Sequence, residues 1–161
     1  VDELRDLAVQ MKGTKGGELA AFSLARMLFE EGQYEETAKA FEDFLVQYPA
    51  SHSRAGALLG KAYALESAGR SKQAEKAFVE AYEAIVEGIR KAEAAVGAAR
   101  CALSRSELQL AEQWYRRALE DTDEEGLFRE KAEKGLLEIA RIRATTATEG
   151  QEPVEARNTP E

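Results

Sequence analysis

The residues able to do chemistry in this chain are few and stand apart. His52 is the only histidine and Cys101 the only cysteine. Nucleophilic or metal-assisted catalysis needs such groups gathered with a base, an orienting carboxylate or further ligands. No Cys–His pair, Ser/His/Asp set, metal-ligand spacing or glycine-rich dinucleotide motif is present. His52 follows Pro49 in a turn-forming stretch and is expected as a solvated imidazole. Cys101 lies among alanines and is expected as a small buried apolar group. Carboxylates are numerous, but each cluster falls at a helix end or opposite a cation at i,i+4.

Two short runs imitate ligand sites. Residues 13–17 are glycine-rich ahead of a helix, an arrangement that can cradle an anion on free backbone N–H groups. The Walker spacing is missing and no strand precedes the run, so it reads as a linker. Asp121, Asp123, Glu125 and Gly126 reproduce the start of a calcium loop. The bidentate glutamate that closes such a loop falls on Ala132, so Asp123 reads instead as the cap of the last helix, with Glu124 and Glu125 in its first turn. The chain is expected to be no enzyme and to hold neither metal nor cofactor.

Contact with another protein suits these side chains better. Positions i, i+4 and i+7 share one helix face. Three stretches place Phe22, Arg26 and Phe29, then Leu59, Tyr63 and Glu66, then Val96, Arg100 and Leu103 on such a face. Aromatic and aliphatic groups with arginine are favoured where a peptide is gripped. The competing expectation is that Leu59, Val96 and Leu103 pack against neighbours or under the last helix. Gly60 and Gly97, with Ser23 one period earlier, lie on the same face and are expected to let helices approach closely.

The elements that must carry this stripe repeat. Gly32, Gly69 and Ser106 stand 37 residues apart, as do Thr37, Ala74 and Ala111, then Phe41, Phe78 and Tyr115, then Phe44, Ala81 and Ala118. Four registers with one period over three copies predict stacked supersecondary units. Apolar spacing predicts a leading helix over 2–12 and helix pairs over 18–31 with 34–47, 53–68 with 71–86, and 89–104 with a partner returning through Leu108, Ala111, Tyr115, Ala118 and Leu119. A last helix is expected over 124–144, with Phe128, Ala132, Leu136 and Ile139 in phase and its other faces charged, as a terminal cap requires. The expected divisions are 1–17 (leading helix and linker), 18–51, 52–88 and 89–123 (three repeats), 124–144 (cap) and 145–161 (a polar tail read as disordered).

Charge narrows the partners. The net charge is −8 with a pI near 4.9, and no basic stripe is available to neutralise phosphates, so nucleic acid is not an expected partner. No Lys/Arg-rich amphipathic face marks a membrane surface binder, and no run approaches the roughly 20 apolar residues of a membrane span. The chain begins at Val1, so an upstream anchor or signal is treated as removable and unread.

The spacing Ala21-x2-Leu24-Ala25-x2-Leu28-x3-Gly32-x-Tyr34-x3-Ala38-x2-Phe41-x7-Pro49 resembles the tetratricopeptide repeat. The second copy keeps Leu58, Ala62, Leu65, Gly69, Ala74, Phe78 and Ala81, and the third keeps Ala99, Leu108, Ala111, Tyr115 and Ala118. Thr37 and Phe44 stand where that family prefers alanine, and Val86-Glu87 replaces the proline stop of the first copy, so the second helix of repeat two is expected to overrun toward Gly88. The resemblance implies an all-α fold, a right-handed α-solenoid of three helix pairs whose first helices line a concave surface. It implies a non-catalytic scaffold that holds a peptide or helix of a protein partner, with a self-assembling homo-oligomer as the alternative. Phe22 and Arg26 occupy places where the family's carboxylate clamp uses lysine and asparagine, so an apolar segment is expected rather than an acidic chain terminus. The opening and the Tyr48–Ser51 turn are similar to bacterial cell-envelope members, of the Tol–Pal coordinator or translocon ancillary type. That implies a periplasmic or envelope location, with the cytoplasm as the alternative.

Overall fold

A computed structural model describes residues 1–122 and 126–149. Eight helices follow one another, with no strand among the described residues: α1 (Asp2–Gln10), α2 (Lys15–Glu30), α3 (Tyr34–Gln47), α4 (Arg54–Ser67), α5 (Ser71–Ala84), α6 (Ile89–Ser104), α7 (Leu108–Glu120) and α8 (Leu127–Glu149). Each helix packs on its sequence neighbours, and α2, α4, α6 and α8 also touch in succession. The result is the α-solenoid expected from the period.

The three turns at that period share one mechanism. Gly32 N–H donates to Phe29 C=O and Gln33 N–H to Leu28 C=O. Gly69 with Arg70, and Ser106 with Glu107, repeat the pattern on Glu66, Leu65, Leu103 and Ala102. These paired bonds satisfy orphan carbonyls at the helix end and need a left-handed residue. Gly32 and Gly69 supply it at φ +75°, and Ser106 adopts φ +62° despite its Cβ.

Coupling between hairpins comes from rings set on glycines. A Cβ on Gly60 would lie 2.5 Å from the Phe41 ring, one on Gly97 2.4 Å from Phe78, and one on Gly135 2.2 Å from Tyr115. The small residues therefore admit an aromatic side chain from the preceding helix rather than a backbone. Phe41 and Phe78 are 3% and 0% exposed, so each ring is core. Ion pairs flank the seams: Arg70 on Glu35 at 2.5 Å, and Lys61 between Glu42 of the preceding repeat and Glu80 of its own at 3.4 and 3.8 Å. Arg105 links Glu75 and Glu107 and donates to the Ser71 carbonyl.

Several boundaries differ from expectation. The glycine-rich run is no linker throughout, because α2 begins at Lys15 with Thr14 Oγ1 accepting from Gly17 N–H at 3.1 Å. Gly17 is needed for packing: a Cβ there would lie 2.1 Å from the Met11 carbonyl oxygen, where the end of α1 crosses. The overrun toward Gly88 does not occur. Helix α5 stops at Ala84, and Ile85 turns extended and is buried, which pulls the chain out of the helix. Helix α8 continues to Glu149, past the expected end at 144, and residues 150–161 lie outside the described residues. Its last turns contain Thr145, Thr146 and Thr148, each donating a hydroxyl hydrogen bond to the carbonyl four residues back. Ala132 and Ile139 of α8 are buried, and Phe128 and Leu136 are half-buried against the same core.

Candidate peptide-binding groove

The first helices of successive repeats leave an open cavity of about 750 Å³ on their shared face. Phe22, Arg26 and Phe29 from α2 form one wall, Leu59 and Tyr63 from α4 the floor, and Ile89 and Phe128 from α6 and α8 the far end. Phe22 is held edge-on against Phe41 and Phe44, with centroids 5.6 and 5.4 Å away, and Phe29 edge-on against Tyr34 at 5.3 Å. Such edge-to-face contacts fix the ring orientation before any ligand arrives. Leu59 is only 4% exposed, whereas Ile89 is 63% exposed at the rim.

Tyr63 ties the floor to repeat three. Its ring packs edge-on against Phe78 at 5.1 Å, and its hydroxyl donates to Glu93 Oε1 at 2.8 Å. Burial, reinforced by the Glu93 carboxylate, pushes the phenol pKa well above its ordinary value, so the donor stays protonated. The cations and carboxylates of the cavity balance: Arg26 faces Glu30 at 3.7 Å, and Arg90 and Glu93 line the α6 side.

The nine stripe residues divide. Phe22, Arg26, Phe29, Leu59 and Tyr63 come together in the cavity, while Glu66, Val96, Arg100 and Leu103 are absent from its lining. Val96 is 3% exposed in the core, and Leu103 is half-buried against it. Arg100 clasps Glu66 through Nε at 2.6 Å and Nη2 at 2.5 Å, and its guanidinium lies over the Tyr63 and Phe78 rings. That carboxylate holds the arginine pKa above its ordinary value, so the pair is closed on itself. Packing between neighbours thus accounts for the third-repeat part of the stripe. Gly56, Ile89, Arg90, Glu93 and Phe128 were not expected in the lining. Counting back three residues from Leu59 and Val96 lands on Gly56 and Glu93, so one further turn of the same stripe would have found them. Phe128 arrives only through the cap's docking.

The residues suspected of chemistry stay apart. His52 is exposed in a turn. Cys101 is buried, and loss of solvation followed by the nearby Glu66 carboxylate pushes its thiol up to about 12, away from thiolate chemistry. Asp123, Glu124 and Glu125 lie outside the described residues, and with them both the calcium-loop and the helix-cap expectations. Among the described residues no group of three or more potential ligands gathers for a metal, and no helix is long and apolar enough to cross a membrane.

Neither a protein-family model nor a curated relative matches the chain by sequence. Solved structures do match by fold. The Yersinia enterocolitica type III secretion chaperone SycD, in complex with a peptide of the translocator YopD, superposes with a TM-score of 0.66 at 22% identity, over 76% of this chain and 92% of SycD. A second structure of SycD, an alternative dimer, gives 0.68 at 22% identity, over 81% and 96%. PcrH in complex with the chaperone binding region of PopD gives 0.66 at 18% identity, over 84% and 98%. The chain therefore has the TPR-like all-helical fold of these secretion chaperones. At such identities the likeness is one of fold, and these matches do not carry the finer envelope types, Tol–Pal coordinator or translocon ancillary subunit.

Proposed function

We propose that the chain is a non-catalytic scaffold that seats an apolar segment of a partner protein in the cavity walled by Phe22, Phe29 and Tyr63. The observation that carries this reading is the open aromatic face itself: Phe22, Phe29, Phe41, Tyr63 and Phe128 converge on one cavity that no helix among the described residues fills. Preset rings lower the ordering cost of binding. The fold neighbours SycD and PcrH, each solved with a piece of a translocator, accord with a chaperone-like role. A chaperone that holds a secretion cargo does so before export, which favours the cytoplasmic alternative; the matches do not support the periplasmic one.

Replacing Phe22 and Tyr63 together with alanine is expected to abolish enrichment of peptides from a random phage-displayed library, with helicity by circular dichroism retained. Unchanged enrichment moves the site elsewhere. Self-association is the second reading, favoured by the exposed Ile89 at the cavity's end and by the dimeric SycD neighbour. Light scattering over a dilution series separates the two: a stable dimer that excludes peptide supports assembly through this face.

A further inference from the structure

Arg90 lies in the first turn of α6, exposed at the edge of the cavity. Its Nη1 stands 3.1 Å from the point a Cβ on Gly56 would occupy, and the Phe22 ring stands 3.4 Å from that same point. A guanidinium and an aromatic edge therefore converge over the bare backbone of α4. The other charges of the cavity are engaged: Arg26 faces Glu30 at 3.7 Å, and Glu93 accepts the Tyr63 hydroxyl at 2.8 Å. Among the described residues, no carboxylate lies within 4.0 Å of Arg90.

We propose that Arg90 recognises a side-chain carboxylate of the bound segment, carried within two residues of the apolar side chain that rests on Phe22. The inference builds on the groove reading above and adds a charge requirement to it. An extended chain advances about 3.3 Å per residue, so a ligand anchored on Phe22 brings its next side chains to the guanidinium. Once the ligand excludes water, the planar fork and a carboxylate form a charge-assisted pair beside an apolar wall, where it is stronger than in open solvent. A single fork suits one Asp or Glu, consistent with the absence of the paired clamp that a chain terminus needs.

The test is selection of random phage-displayed peptides on the intact chain and its variants. Wild type is expected to enrich peptides with Asp or Glu within two residues of Leu, Ile, Met or Phe. Arg90→Glu is expected to exchange that acid for Lys or Arg, and Arg90→Lys to keep it. The best acidic peptide, measured by fluorescence anisotropy, is expected to bind Arg90→Gln about tenfold more weakly. Charge reversal at this exposed first-turn position suits the helix dipole, so the variant is expected to fold as wild type does. Identical preferences from wild type and Arg90→Glu overturn the assignment, as does an exchange produced by Arg26→Glu instead. Absence of any enrichment by wild type overturns the groove reading as well, which distinguishes that failure from a failure of the charge requirement alone.

Discussion

Phe22 and Val96 hold the same place in their repeats, two periods apart, yet one ring lines a cavity and the other side chain is 3% exposed in the core. The helices that carry them differ in the same way. Helix α2 buries Gly17, Ala20, Ala25 and Leu28, whereas α6 buries nine residues, among them Ala94, Ala95, Ala98, Ala99, Cys101 and Ala102. Helix α6 is touched by α4, α5, α7 and α8, whereas α2 is touched by α1, α3 and α4. Position in the stack, rather than phase within the repeat, decides whether a stripe is open. Alanine on nearly every face lets four neighbours close around α6, and larger rings on α2 line a gap that no helix among the described residues fills.

The sharpest way to break this contrast is to remove one ring from each half. Phe78→Ala, at a fully buried site, is expected to lower unfolding free energy by about 3–5 kcal/mol in a denaturant titration. Phe22→Ala is expected to cost clearly less. Equal losses would make Phe22 an ordinary core residue and collapse the distinction. Gly97→Ala probes the closed half from the other side. Its new methyl meets the Phe78 ring, and a loss of about 1–3 kcal/mol is expected by the same titration.

Alkali sharpens the comparison further. The Cys101 thiol rises from an ordinary 9.0 to about 12 in the folded chain, so the unfolded state releases its proton first. Stability from this group is complete below pH 9 and is lost as pH climbs toward 12. Between pH 9 and pH 10 the loss is expected to be about 1 kcal/mol, and Cys101→Ala should flatten that part of the profile. The smallest effect belongs to the third turn. Ser106→Gly relieves a left-handed serine and is expected to add about 0.5–1 kcal/mol, measured as a rise in melting temperature.

The turns were legible because glycine and the apolar period both mark them, and Phe41, Phe78 and Tyr115 announced the stack through their common register. The helix starts and stops were harder wherever side chains outweigh composition. Thr14 caps a helix whose first turn holds two glycines, and α8 runs on through three threonines whose hydroxyls bond back to its own carbonyls. Five of the nine stripe residues meet in the cavity, since helical phase alone places them on one face. The remaining four could not be separated from them by spacing. Whether Arg100 faces outward or locks onto Glu66 depends on a residue 34 positions away. Phe128 joins the cavity only because the cap docks across α6.

The rings seated on Gly60, Gly97 and Gly135 all point the same way along the chain, each from the second helix of one hairpin into the helix that follows, the last of these being the cap. A ring-in-socket joint therefore runs between successive units of the stack. Shortening the protein after Tyr48 would strand Phe41 without its socket, whereas cutting at Gly69 would leave that joint whole. Anyone splicing such units into longer arrays has to carry the socket glycine of the following helix along with each ring.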